Sequence, residues 1–190
     1  GKVDPSTMTL VGQCAAPTGN NNSRFGPPLV AVSPSAIYYI GTVEISSALY
    51  SVVYKVDPST LTIINSYART IPVFALAVSP SAIYVGYGTS PGTVYKLDPS
   101  TMSVIGSYTA PSGHPAVTSM ALSPSALYVA YVKWIVNGYP QTTYIDKLDP
   151  STITLIESIP VSPAIQVISP FGMIESLHET SSSPINNTHN

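Results

Sequence analysis

The sequence predicts an all-β protein, a four-bladed β-propeller of four-stranded blades about 45 residues long. Two repeated motifs carry this prediction. Lys-x-Asp-Pro-Ser-Thr occurs four times, and Ser-Pro-Ser-Ala occurs three times with a degenerate fourth copy, Ser-Pro-Phe-Gly. The first motif begins at Lys2, Lys55, Lys96 and Lys147, and the second at Ser33, Ser79, Ser123 and Ser169. The Ser-Pro copies lie 46, 44 and 46 residues apart, which is the length of one blade.

Each unit contains four short apolar runs that are rich in β-branched residues and tyrosine and are bounded by Pro, Gly and Ser, as is typical of strands. One run leads into Ser-Pro, the second follows it, the third precedes Asp-Pro and the fourth follows that. In the second unit these runs are 73–78, 83–87, 93–97 and 102–105. The corresponding runs are 29–32, 37–40, 52–56 and 61–64 in the first unit and 117–122, 127–132, 143–148 and 153–156 in the third. No stretch of about ten residues has helical periodicity.

Both motifs have the chemistry of tight turns. Proline in the second position presets the backbone of a type I turn, and the Asp or Ser before it can accept backbone N–H groups. The predicted turn residues are Asp4, Asp57, Asp98, Asp149, Ser33, Ser79, Ser123 and Ser169. A metal ring of four aspartates is the alternative, and we favour the turn interpretation.

The stretch Lys-Leu-Asp-Pro-Ser-Thr-Met-Ser-Val-Ile-Gly-Ser-Tyr, followed by Met-Ala-Leu-Ser-Pro-Ser-Ala-Leu-Tyr-Val-Ala, resembles the YVTN-type β-propeller repeat of archaeal and bacterial surface proteins. The Tyr-Val element occurs as Tyr84-Val85 and Tyr128-Val129. Ser-Ala stands where the family usually has Asp-Gly. The resemblance covers nearly the whole chain and implies an architecture without implying an activity.

The propeller is expected to span residues 1–180 as one domain, followed by a polar tail, 181–190. The chain opens in mid-blade with a third strand ending at Val3 and an outer strand over 8–11. It closes with a first and a second strand over 164–168 and 173–177. The two termini therefore complete one blade within the chain, which removes an open sheet edge. The alternative is that this half-blade is exchanged with a neighbouring subunit.

Composition excludes several classes of function. Charged residues make up 8% of the chain, the net charge is −2, and no basic run could follow a nucleic acid backbone. No apolar run reaches the roughly 18 residues of a membrane-spanning helix. Cys14 is the only cysteine, so neither a disulfide framework nor a cysteine zinc site is expected.

Candidate catalytic groups are few, and we predict no enzyme activity, no cofactor and no metal. His114 lies in a predicted loop and His189 in the tail. On a strand, His178 would face away from Glu175 and Glu179, which is poor geometry for one metal. The repeat context of the carboxylate pair Asp146 and Asp149 indicates a blade surface.

Two sequons, at Asn21 and Asn186, and a start at Gly1 without methionine favour an extracellular protein whose signal peptide has been removed. The repeated Lys-x-Asp pair contains four of the 7 basic and four of the 9 acidic residues. The remaining surface is nearly neutral, which favours association. We therefore predict a non-enzymatic structural protein that assembles with copies of itself into a filament, sheath or surface layer. The alternative is a monomeric module that binds glycan or protein through Trp134 and Tyr139.

Overall fold

A computed structural model describes residues 2–12, 29–132 and 143–161, and the regular structure in these ranges is entirely β. The strands are β1 (Lys2–Val3), β2 (Leu10–Gly12), β3 (Val30–Ser33), β4 (Ala36–Ile45), β5 (Ala48–Val56), β6 (Ile63–Arg69), β7 (Val73–Val78), β8 (Ile83–Tyr87), β9 (Thr93–Leu97), β10 (Val104–Thr109), β11 (Val117–Leu122), β12 (Leu127–Val132), β13 (Thr143–Leu148) and β14 (Leu155–Val161). Within these ranges, no helix is long and apolar enough to cross a membrane.

The strands form three antiparallel four-stranded sheets, in which neighbours in sequence are neighbours in the sheet. We call them the first sheet (β3, β4, β5, β6), the second sheet (β7, β8, β9, β10) and the third sheet (β11, β12, β13, β14). A separate two-stranded sheet pairs β1 with β2. The all-β class is therefore as predicted. Three complete sheets, however, are fewer than the four blades expected, and the predicted strands 164–168 and 173–177 lie outside the described residues.

The outer strands begin later than the apolar runs indicate. The runs predict strands from residues 61, 102 and 153, whereas β6, β10 and β14 begin at Ile63, Val104 and Leu155. The first residue of each run has a positive φ, which continues the turn and delays the ladder. In the first unit, β4 and β5 extend beyond the predicted 37–40 and 52–56. They meet at Ser46 and Ser47, both with positive φ, as a two-residue hairpin turn requires.

The core lies between successive sheets, and β3 and β11 both lie against β7. One buried cluster joins the first and second sheets, with Ala36, Tyr38, Ile83 and Val85 among its members. A second cluster joins the second and third sheets, and it includes Ala82, Tyr84, Val117, Leu127 and Ile153. The alternating apolar residues of each strand supply these clusters, since every second side chain points to one face.

The close approach of the second and third sheets depends on a glycine. A Cβ atom built on Gly86 of β8 would lie 2.6 Å from Cγ1 of Val117 in β11 and 3.1 Å from Cβ of Ala75 in β7. We expect Gly86→Ala to lower the free energy of unfolding by about 1–3 kcal/mol, because the two sheets must separate to admit the methyl group. Ser107→Ala, at an exposed site on β10, should change it by less than about 0.5 kcal/mol. Urea denaturation measures both, and equal effects would contradict this packing.

Candidate functional site

The four Asp-Pro-Ser-Thr segments form turns with one geometry. In each, Oδ1 of the aspartate accepts the backbone N–H groups of the Ser two residues on and the Thr three residues on, at 2.7–3.1 Å. The aspartate carbonyl accepts the N–H of the fourth following residue, and its own N–H donates to the carbonyl of the fifth. The turn is therefore wider than the type I turn that the proline predicts, because it closes over one more residue.

The residue that closes each turn has a left-handed backbone although it is never glycine. Met8, Leu61, Met102 and Ile153 have φ between 55° and 58°. This conformation costs about 1–2 kcal/mol for a residue with a Cβ atom. Met102 and Ile153 are buried and belong to the clusters described above, so side-chain packing offsets the strain at these two positions.

Each of these two turns docks on the sheet of the preceding unit through a lysine. Lys55 of the first sheet donates from Nζ to the carbonyl of Pro99, at 2.6 Å. Lys96 of the second sheet donates to the carbonyls of Pro150, at 3.0 Å, and Ser151, at 2.6 Å. The repeated lysine therefore links one sheet to the turn of the next.

A tyrosine lies beside the lysine in both sheets, and in the second sheet it adds a hydrogen bond to the docked turn. Tyr38 pairs with Lys55 across strands β4 and β5, and Tyr84 pairs with Lys96 across β8 and β9, so each pair lies on one face. The hydroxyl of Tyr84 donates to the carbonyl of Pro150 at 2.6 Å. We call the Tyr-Lys pair of each sheet its docking pair.

The Ser-Pro-Ser-Ala segments form two-residue hairpin turns between the first and second strands of each sheet. In the three described copies, Oγ of the first serine accepts the N–H of the alanine, at 2.9–3.2 Å. The alanines Ala36, Ala82 and Ala126 are fully buried. The alanine methyl group therefore fills core space at the end of each described turn. Ser169 lies outside the described residues.

The pKa values of the four turn aspartates are all lowered by hydrogen bonds. The largest cause for Asp57, Asp98 and Asp149 is the backbone N–H of the threonine three residues on, and for Asp4 it is the hydroxyl of Ser6. Lys55 and Lys96 make a smaller contribution at Asp98 and Asp149. The structure places these carboxylates in separate turns. Among the described residues, no group of three His, Cys, Asp or Glu side chains could hold a metal ion.

A buried polar cluster between the second and third sheets is the feature that the sequence reasoning missed. Asp146 of β13 is 0% exposed, so its assignment to a blade surface was wrong. Oδ2 of Asp146 accepts the hydroxyl of Tyr108 at 2.8 Å, and Oδ1 accepts that of Ser158 at 2.6 Å. Nε2 of His114 lies 3.8 Å from Oδ1 of Asp146. Burial, and secondly this carboxylate, raise the pKa of Tyr108.

A departure from the repeat marks this cluster in the sequence. Asp146 precedes the repeated Lys147 at the position that Tyr54 and Tyr95 occupy in the other units. An aspartate where other units have tyrosine, on a strand that packs against the core, indicates a buried polar interaction.

The cluster contains Ser, His and Asp but not in the order of a hydrolase triad. The carboxylate of Asp146 accepts directly from Ser158, and Nδ1 of His114 lies 3.2 Å from the carbonyl of Pro111. A catalytic aspartate would instead bind and orient the imidazole through the nitrogen remote from the serine. The arrangement joins β10 and the 111–114 segment to β13 and β14.

Apolar side chains are exposed in pairs at the start of each outer strand. These pairs are Ile63 and Ile64 in β6, Val104 and Ile105 in β10, and Leu155 and Ile156 in β14. Each of these strands is the last in its sheet, and within the described ranges its outer edge pairs with no other strand. β10 carries no charged residue, and β6 and β14 carry one each.

Several predicted site residues lie outside the described residues. They are the sequon residues Asn21 and Asn186, the predicted contact residues Trp134 and Tyr139, and the histidines His178 and His189 with Glu175 and Glu179. Their roles stay predictions.

Comparison with known proteins adds little to this description. No protein-family model matches the chain, and no curated protein matches it. Among solved structures, it is similar to the computationally designed Ika8 protein, with 11% identity and a TM-score of 0.41, over 68% of this chain and 48% of that chain. The chain thus spans about half the length of that protein, and a likeness at this level carries no argument about fold or function.

The lowered pKa values make the turns sensitive to acid. A carboxylate whose pKa is lower in the folded state stabilises the fold fully above its unfolded pKa of about 3.9, and this contribution disappears as the pH falls through the folded value. We expect the free energy of unfolding to fall between about pH 4 and pH 2 more steeply for the natural chain than for a variant with Asp57→Asn, Asp98→Asn and Asp149→Asn. Denaturation series across this range measure the slopes. Glu44→Gln, at an exposed site outside the turns, is the control, and parallel slopes for all three proteins would contradict the assignment.

The buried cluster predicts a strong stability coupling. Asp146→Ala should lower the free energy of unfolding by about 3 kcal/mol, since it leaves the hydroxyl groups of Tyr108 and Ser158 without their acceptor. Tyr108→Phe should cost about 1 kcal/mol. In the double variant, the loss should be smaller than the sum by at least about 0.5 kcal/mol, because the two side chains share one hydrogen bond. Urea denaturation measures the free energy of unfolding of all three variants. Losses that add strictly in the double variant would contradict the shared hydrogen bond.

Proposed function

We propose that this chain is a non-enzymatic extracellular structural protein that assembles with copies of itself into a filament, sheath or surface layer. Its fold in this proposal is a four-bladed propeller of the YVTN-like type. β1 and β2 supply half of the fourth blade, and the C-terminal part of the chain supplies the rest. Assembly proceeds through propeller edges or through exchange of these terminal strands.

The observation that carries this proposal is the exposed apolar pair at the start of each outer edge strand. Exposed apolar side chains on an open sheet edge supply area that association with another chain would bury. Each edge also has a register shift at the second residue of its pair, so association at these sites would depend on side-chain burial rather than on a continuous strand ladder. Here the pairs recur in β6, β10 and β14. The low charge of the whole chain adds support, since there is little electrostatic repulsion between copies.

Placement outside the cell agrees with the two sequons in polar segments. The buried cluster around Asp146 supports a structural role, because the hydrogen bond from Tyr108 joins the second sheet to the third and that from Ser158 joins two strands of the third. The family resemblance, which is to surface proteins, points the same way.

The purified protein should form particles much larger than its monomer mass of 20.0 kDa. Replacing the second residue of each exposed pair, with Ile64→Lys, Ile105→Lys and Ile156→Lys, should reduce the assembled fraction at least about tenfold, because a buried interface would have to accept three unpaired charges. Light scattering and negative-stain electron microscopy measure assembly. Circular dichroism should show the variant to be folded, since these side chains are about half exposed.

The matched control adds the same three charges at exposed positions of the Ser-Pro turns, with Ser35→Lys, Ser81→Lys and Ser125→Lys. This control should assemble as the natural protein does. A natural protein that stays monomeric at high concentration would contradict the proposal. A glycan-array signal that Trp134→Ala abolishes would support the binding-module alternative instead.

A further inference from the structure

The third sheet carries a docking pair that no turn occupies within the described residues. Tyr128 of β12 is directly opposite Lys147 of β13, as Tyr38 is opposite Lys55 and Tyr84 opposite Lys96. Tyr38 and Tyr84, whose sheets receive turns, are 0% and 2% exposed, whereas Tyr128 is 37% exposed. In the part of the chain that the structure describes, no hydrogen bond joins Lys147 to a turn.

One turn is correspondingly undocked. In the turn that begins at Asp4, the closing residue Met8 is 77% exposed, although its equivalents Met102 and Ile153 are buried. Its hydrogen bonds are those of the other three turns, including acceptance of the N–H groups of Ser6 and Thr7 by Asp4. The turn is thus preformed in the docked conformation, with a strained apolar residue in water.

We infer that the turn over residues 4–9 of a second copy of this chain docks on Tyr128 and Lys147 of the third sheet. The repeat dictates the contacts. Lys147 donates to the carbonyls of Pro5 and Ser6, as Lys96 donates to those of Pro150 and Ser151. Tyr128 donates to Pro5 as Tyr84 does to Pro150. Met8 packs beside Tyr128 in the place that Ile153 takes in the cluster of Ala82 and Tyr84.

A second copy is the occupant because the chain's own turn does not occupy this face. Both partners, Met8 and Tyr128, are exposed in the same molecule. Within the described residues, the sheet that bears the turn contains β1 and β2, and a two-stranded sheet without further packing is marginally stable in water. Docking on a neighbour provides the packing that this small sheet lacks.

A second apolar face is exposed on the first sheet. Val30 and Val32 of β3 are exposed, whereas their equivalents Leu76 and Val78 pack against the first sheet's cluster and Met120 and Leu122 against the next. The described residues thus have an unfilled docking pair on the third sheet and, elsewhere, an undocked turn over residues 4–9 and an exposed face of β3. Contacts between two different faces are heterologous and propagate from copy to copy unless the rotation closes a ring. This inference rests on the proposed function and identifies its partner and contact.

Cross-linking between cysteines tests the contact directly. In a Cys14→Ser background, a short bismaleimide should join Lys147→Cys of one chain to Ser6→Cys of another, so that a mixture of the two single-cysteine proteins yields dimers. The chain that carries both substitutions should yield a ladder of multimers. The matched control is Lys96→Cys with Ser151→Cys, which should cross-link within one chain because Lys96 already donates to the carbonyl of Ser151 at 2.6 Å.

Cross-linking of the doubly substituted chain only within itself would overturn the inference, since its own turn would then be the occupant. Absence of any cross-link, while the control pair reacts, would also overturn it and would indicate that another segment covers this face. Either result in a protein that still assembles in the electron microscope would leave the proposed function standing. Failure of assembly itself would instead remove the proposed function.

A second variant separates docking from folding. Met8→Ala should lower the assembled fraction at a fixed concentration at least about tenfold without shifting the unfolding midpoint of the monomer, since the side chain is exposed there. Ile153→Ala, the equivalent change in a docked turn, should lower the unfolding midpoint instead. Unchanged assembly of Met8→Ala would contradict the proposed contact.

Discussion

The fold depends on one recurring contact, in which a lysine ammonium of one sheet donates to the backbone carbonyls of the next unit's Asp-Pro-Ser-Thr turn. The aspartate carboxylate accepts two backbone N–H groups within the turn. The carbonyl of the proline faces outward and accepts the hydrogen bond of the lysine. Proline has no N–H to compete at this point. The closing residue then points into the gap between sheets, so hydrogen bonding and apolar burial act at the same place.

Much of this architecture could be predicted from the sequence, because turns and strand alternation are local properties. The order of the strands in each described unit and the role of the motifs as turns follow from Pro, Asp and Ser at fixed offsets. The left-handed backbone at Met102 and Ile153 could not be predicted. A bulky residue disfavours that conformation on its own, and only the neighbouring sheet, which is distant in sequence, makes it favourable.

The cluster around Asp146 shows the other limit of sequence reasoning. Its four side chains come from β10, the 111–114 segment, β13 and β14, so no short motif contains them. The two hydrogen bonds that the carboxylate of Asp146 accepts stabilise this buried group between the second and third sheets. Lys147 is next to Asp146 in the chain but points to the opposite face of the sheet, towards the docking side, because successive residues of a strand alternate. Asp146 therefore receives its hydrogen bonds from hydroxyl groups, and Lys147 is left available for another partner.

A repeat of this kind leaves different surfaces exposed on its first and last sheets. The second sheet both receives a turn and contributes one, whereas within the described residues the third sheet has an unfilled docking pair and the first has the exposed residues Val30 and Val32. The strain at Met8 is present whether or not the turn is docked, so docking recovers burial without a further conformational cost. The donors of this contact are one lysine and one tyrosine, and the acceptors are backbone carbonyls of the turn. The contact therefore needs no acidic side chain. Association by this route is accordingly compatible with a chain that has so few charges.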